Sequence, residues 1–132
     1  MKTAIALATT LVLAGVVAGL GAQQPAFKRT VLQQVDISVP GREAVTVIGD
    51  FQPGATPGRH THAGEEIGYV LEGTLLLEQD GKPAVTLTAG QAFLIPVGTI
   101  HNATNTGSTP ARILATYIVE KGKPLATPAP AK

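Results

Sequence analysis

The chain has no cysteine and no tryptophan, one methionine, and aromatic side chains at only 4% of its 132 residues. Without cysteine, disulfides, thiolate metal sites and thiol nucleophiles are excluded. Any metal must then be held by nitrogen and oxygen, which points to an exchangeable site for a borderline or hard ion rather than a Cys-rich structural zinc. Charge is scarce too: 14% of residues are charged and the formal net charge is +1. The basic residues are scattered, so the chain lacks the electrostatic footprint of a nucleic-acid binder, and no such partner is expected. No amphipathic window is long enough to read as a helix.

What is present is apolar and punctuated. The 44% hydrophobic content, with 15 glycines and 10 prolines, suits one compact domain with a single core. Residues 1–22 read as a signal peptide: Lys2 is followed by an apolar run from Ala4 to Leu20, then by Gly21-Ala22 and polar Gln23-Gln24. Cleavage is expected at or just before Ala22, which places the mature protein in the periplasm or outside the cell with no stable membrane anchor. The alternative is an uncleaved anchor, for which the run is short and rich in Ala and Gly against the roughly 20 apolar residues that span a bilayer.

From Phe27 onward, short β-prone runs alternate with Gly, Pro and Asp turns. Strands are expected at Thr30 to Val39, Ala44 to Gln52, Arg59 to His62, Glu66 to Leu71, Thr74 to Gln79, Ala84 to Leu87, Ala92 to Ile95, His101 to Asn105 and Arg112 to Glu120. Asp80-Gly81 is a hairpin signal. Many short strands at this spacing predict an all-β fold, a sandwich or small barrel, over residues 23–120. Residues 121–132, rich in Lys, Pro and Ala, read as a mobile tail. Val85, Leu87, Phe93, Ile95, Leu114 and Ile118 are the expected core.

All three histidines fall in two ordered Gly/Pro stretches, Gly54 to Gly73 and Gly90 to Asn105. In an extended strand His60 and His62 point the same way. Glu66 follows a short stretch able to turn a carboxylate back toward them, and His101 must arrive from distant sequence. Three neutral imidazoles and a carboxylate suit one divalent transition metal, with positions left for water, dioxygen or substrate. Taken alone, an H-x-H pair is more often structural than metal-binding; the combination shifts the balance. Gly68 shares parity with Glu66, and its missing side chain is expected to leave room for a ligand. Glu65 reads as solvated, Arg59 as outward-facing, and Asn105 as a turn cap rather than an orienter of a metal ligand.

Gly54, His60, His62, Glu66 and Gly73, followed by Gly90, Pro96, Gly98, His101 and Asn105, resemble the two motifs of the cupin superfamily, G-x5-H-x-H-x3,4-E-x6-G and G-x5-P-x-G-x2-H-x3-N. The resemblance implies a jelly-roll β-barrel of antiparallel strands holding a metal on His60, His62, Glu66 and His101. The ion would be Fe, Mn, Ni or Zn. It also implies a small-molecule substrate or ligand, and a homodimer through an edge strand, for which the apolar residues from Val31 to Val39 are the expected contact.

Two functions follow as expectations. The first is an exported metalloenzyme of dioxygenase-like type, with isomerases and lyases sharing the fold. The second is a non-catalytic sensor or carrier of a small molecule or metal, suggested by the lack of an evident acid or base.

Overall fold

The computed structural model describes residues 26–132; the expected signal peptide lies outside the described residues. Ten strands follow one another with no helix between them: β1 (Phe27–Asp36), β2 (Arg42–Phe51), β3 (His60–Thr61), β4 (Gly64–Glu72), β5 (Thr74–Gln79), β6 (Val85–Thr88), β7 (Ala92–Ile95), β8 (His101–Asn105), β9 (Ala111–Glu120) and β10 (Thr127–Pro128). They form two five-stranded antiparallel sheets, ordered β1-β2-β9-β4-β7 and β10-β3-β8-β5-β6. The expected closed barrel is realised as two separate facing sheets. Sequence-remote strands are neighbours in both, because the chain crosses repeatedly from one sheet to the other.

The core lies between the sheets, with Val45, Val47, Phe51, Val70, Ile95, Ile113 and Val119 from the first and Leu75, Leu77 and Leu87 from the second. Each such side chain contributes about 1.5–3 kcal/mol on burial. The expected core is corrected at three positions. On β9 the buried face is Ala111, Ile113, Ala115, Tyr117 and Val119, while Leu114 and Ile118 lie on the opposite, half-buried face. Val85, on the edge strand β6, is 45% exposed.

β1 begins at Phe27, three positions before the expected Thr30, because its pairing with β2 continues to Phe27↔Phe51, whose rings meet at 4.7 Å. That extension matters for the site, since it carries Arg29 into the fold. Farther along this outermost strand Val31, Leu32 and Val35 are 54%, 56% and 45% exposed.

Turns supply the approach to the histidines. Gly98, at φ 69°, closes the turn in which Thr99 N donates to Pro96 O at 3.1 Å, and the chain then enters β8 at His101. Asn105, at the far end of β8, caps the next turn as expected. Its Nδ2 donates to Phe51 O at 3.0 Å and Thr109 O at 2.8 Å, and its Oδ1 accepts from Gly107 N at 2.9 Å.

Residues 121–132, read from composition as a mobile tail, make contacts with the fold. Thr127 and Pro128 pair with Thr61 and His60, and Leu125 packs against the core. The composition is poor in apolar anchors, but backbone pairing to a short strand needs none.

Candidate metal centre

His60 and His101 are direct cross-strand partners of β3 and β8, and opposed residues on paired strands bring their side chains into contact. Their ring centroids are 4.3 Å apart. His62, two residues past His60 and on the same face, leaves β3 as the chain crosses to the other sheet. Its ring lies 4.8 Å from that of His60 and 5.0 Å from that of His101. One nitrogen from each of the three falls within 4.8 Å of the others. Glu66, on β4, completes the group from the facing sheet, with Oε2 3.0 Å from His62 Nε2 and 3.3 Å from His101 Nε2. The structure thus brings together all four residues singled out in the sequence, and each is 4–7% exposed.

The hydrogen bonds on the outer side of the rings decide which nitrogens face inward. His60 Nδ1 lies 2.7 Å from Gly58 O, His62 Nδ1 2.5 Å from Leu125 O, and His101 Nδ1 2.9 Å from Thr99 O. A carbonyl oxygen only accepts, so each Nδ1 carries a proton and each ring turns its Nε2 toward the centre, where a neutral ring offers a lone pair. Backbone carbonyls orient metal-bound histidines in this way.

Electrostatics sharpen the point. Burial lowers the His60 pKa to about 4, so this ring is neutral at pH 7 despite the hydrogen bond to Gly58. Burial by itself would push the Glu66 carboxyl up, but the His101 and His62 imidazoles outweigh it and hold the group down at about 2. Glu66 is therefore an anion. His62 Nε2 is buried and has no hydrogen-bond partner among the described residues, although it faces the Glu66 oxygen at 3.0 Å. With one ring proton on Nδ1, the close approach of Nε2 to the carboxylate oxygen requires a positive centre between them, either a second ring proton, which is what holds the Glu66 carboxyl down without metal, or a cation. The donor set, three nitrogens and one oxygen with no sulfur, fits a divalent transition ion.

Around this cluster is a narrow apolar cavity of about 30 Å³ whose wall includes Phe27, Arg29, His60, Glu66, Phe93 and Tyr117. It adjoins an outer cavity of about 170 Å³ that shares Phe27, Arg29, Pro57 and His60 and adds Arg59, Ala126 and Pro128. A wider depression of about 480 Å³ lies among Lys28, Asp50, Glu72 and Arg112. There Arg112 is already paired with Asp50 at 2.8 Å, and none of the four clustered residues lines it, so the chemistry belongs to the narrow cavity.

Three wall residues escaped the sequence reading. Arg29 holds its guanidinium carbon 5.5 Å from the Phe27 ring centre and 5.8 Å from that of Tyr117, within cation–π range of both. Its Nε is buried with no hydrogen-bond partner among the described residues. Tyr117 packs its ring 4.6 Å from His62. Burial, followed by the Glu66 charge, raises the Tyr117 phenol, so it stays protonated at neutral pH. Strand alternation was the available signal for Tyr117, because its face of β9 is uniformly apolar while the other carries Arg112, Thr116 and Glu120. Phe93, expected as core, fills the space that Gly68 was expected to leave for a ligand: a Cβ on Gly68 would overlap the Phe93 ring.

Arg59 points away from the cluster, as expected, and grips Asp80 through two hydrogen bonds of 2.9 and 2.7 Å. Glu65 faces the other side of β4 from Glu66 and is half-buried.

Comparisons agree with this geometry. The HTH-type transcriptional regulator PuuR of Escherichia coli is 39% identical over 79 residues, 59% of this chain and 42% of its own length. The oxalate-binding protein of Thermotoga maritima is 38% identical over 68 residues, 51% of this chain and 55% of its own. The chain thus spans about half the length, or less, of these two curated relatives. Among solved structures, an oxalate oxidase superposes with a TM-score of 0.54 at 29% identity, covering 66% of this chain and 52% of that one. The family model for the cupin domain matches residues 47–117, more than half of the chain and all four clustered side chains, and the protein belongs to the cupin family.

Proposed function

We infer that the protein is an exported, mononuclear metal-dependent cupin, an oxidoreductase of dioxygenase-like type acting on a small organic acid. The observation that carries this reading is the convergence of three inward Nε2 atoms with the anionic Glu66, beside a cavity with Arg29 on its wall. His60, His62, His101 and Glu66 would hold Fe, Mn, Ni or Zn. Bound there, such an ion supplies Lewis acidity and open positions for oxygen-containing ligands.

The chain's own residues supply the rest. Arg29 offers a cation to a carboxylate, and a guanidinium in a largely apolar wall interacts more strongly than one in water. Phe27, Phe93 and Ile113 keep the cavity dry. Tyr117 remains neutral and holds the His62 ring in place. The names of an oxalate-binding protein and an oxalate oxidase among the relatives support a small carboxylic acid as the ligand class. The apolar run Ala4 to Leu20 supports export, and the exposed Val31, Leu32 and Val35 of β1 support a homodimer through that edge.

A second reading is a binding protein without turnover. It is favoured by the lining of the inner cavity, where among the described residues the ionisable groups beyond the cluster are Arg29 and Tyr117, neither suited to general acid–base work at neutral pH.

Elemental analysis of the exported protein, combined with oxygen uptake over a panel of small mono- and dicarboxylic acids, tests both. One metal per chain with turnover that Glu66→Gln abolishes supports the enzyme. One metal per chain with acid-induced melting shifts and no turnover favours the binder. Protein that takes up no divalent metal defeats both.

A further inference from the structure

The three histidines of the cluster are oriented in two different ways. His60 and His101 each take their Nδ1 acceptor from the backbone two residues earlier, Gly58 O and Thr99 O. Any chain that forms those two turns therefore sets those two rings. His62 has no such local partner. Its acceptor is Leu125 O, 63 residues away, beyond the last long strand.

That carbonyl is placed by a series of anchors. After β9 the chain turns at Gly122 (φ 77°), and the Leu125 side chain settles against the core. Thr127 and Pro128 then pair with β3 on the side opposite β8. Ala129 N donates to Arg59 O at 2.9 Å, and Arg59 Nε donates to Pro130 O at 3.0 Å. Arg59 is itself fixed by Asp80, which Lys132 Nζ approaches at 3.3 Å. Hydrogen bonds and one apolar contact thus hold the segment across β3, the strand that presents His60 and leads into His62. Ala126 and Pro128 also form part of the outer cavity wall.

We propose that residues 124–132 act as a positioning strap that selects the Nδ1–H form and the ring orientation of His62, so that its Nε2 is presented to the metal. A neutral imidazole carries one proton, and the hydrogen bond made by one nitrogen determines whether the other is a lone pair. Without Leu125 O, the His62 proton gains more by moving to Nε2, where Glu66 Oε2 stands 3.0 Å away and accepts it. The ring would then present N–H where a lone pair is required. Loss of such outer partners typically costs 10–100-fold in metal affinity. The inference rests on the metal-centre reading, but its central claim concerns the metal-free ring.

The test compares the full chain with one ending at Lys123 and with the full-length variant Leu125→Gly, which loses the apolar anchor. Long-range ¹H–¹⁵N spectra of the metal-free proteins report the tautomer of each histidine, and Co²⁺ titration reports affinity. The expected result is His62 in the Nδ1–H form in the full chain and shifted toward Nε2–H in the shortened one, with His60 and His101 unchanged. Co²⁺ affinity falls 10–100-fold on shortening and by a smaller factor in Leu125→Gly. If the shortened chain fails to fold, Leu125→Gly alone decides by the same two readouts. Unchanged His62 signals in a folded variant overturn the strap. A full chain that binds no Co²⁺ yet shows the tautomer shift overturns the metal reading and leaves the strap standing.

Discussion

Gly68 on β4 and Phe93 on β7 are direct cross-strand partners, and the Phe93 ring occupies the space a side chain at Gly68 would need. The glycine therefore does not open the site to a ligand. It lets an aromatic ring lean over its strand and close the cavity wall beside His60, Glu66 and His101. Gly64, on the same face of the strand, has a different constraint, because a Cβ there would run into the backbone of Ile118 and Val119.

Substitutions at these two glycines are expected to separate. Gly68→Ala pushes a ring that can turn away, at a cost of about 1–3 kcal/mol typical of overpacking, and a second change, Phe93→Ala, recovers part of the loss. Gly64→Ala meets backbone that cannot move without breaking the β4–β9 ladder, and it destabilises more, with no rescue by Phe93→Ala. Thermal unfolding of the two single and the two double variants checks the order.

Arg29 is expected to govern the organic ligand and not the metal. Arg29→Gln should weaken binding of a small carboxylic acid to the metal-loaded protein about 10–100-fold, the loss of a charge-assisted contact worth about 1.5–3 kcal/mol, while Co²⁺ affinity stays within twofold. Calorimetric titration with the acid and with the metal distinguishes the two effects. Equal acid affinity in Arg29→Gln would remove this residue from the ligand-binding role.

Acid should destabilise the metal-free protein in a defined window. The His60 pKa drops from about 6.5 to about 4 on folding, so between those values the unfolded chain binds more protons. By linkage, stability falls as pH drops from 6.5 toward 4. Glu66, lowered to about 2 from about 4.5, adds stability that is present above 4.5 and lost as pH falls toward 2. Melting temperatures from pH 8 to pH 3 should decline in both intervals. His60→Asn should flatten the upper one, and a decline that survives this change unaltered would contradict the assignment.

Asn105 joins the end of β2 to the loop between β8 and β9 through one buried amide, donating to Phe51 O and Thr109 O and accepting from Gly107 N. Asn105→Ala leaves these groups without their partner, at about 1–3 kcal/mol for each orphaned group that water cannot reach. Asn105→Asp keeps the acceptor for Gly107 N but sets a carboxylate oxygen against two carbonyls, so it is expected to be no more stable than Asn105→Ala despite its closer shape. Chemical denaturation of both variants measures the difference.

Much of the site was legible because its signals are local. The H-x-H alternation that aims His60 and His62 the same way, the Pro96–Gly98 turn before His101 and the cap at Asn105 each depend on a few consecutive residues. Three of the nine expected strands, Thr74 to Gln79, Ala92 to Ile95 and His101 to Asn105, coincide with β5, β7 and β8 to the residue. The reading of β9 went astray where alternation had to be assigned to a face: Leu114 and Ile118 are as apolar as Ile113 and Val119, and only packing between the sheets chooses which set turns inward.

Sequence alone determined the all-β architecture and the absence of sulfur from the donor set, since composition, turn chemistry and period-two alternation are properties of short stretches; the motif resemblance named the four side chains, and the β3–β8 pairing brings His101 to His60. Tertiary structure decided which partners surround that cluster. Arg29 reaches the cavity through the extended pairing of β1 with β2, Phe93 through its register with Gly68, and Leu125 O through a strap joined to β3. Each of these depends on strand pairing between segments remote in the chain, and a backbone carbonyl such as that of Leu125 has no residue-specific signature, so its role exists only once the fold has brought it to His62.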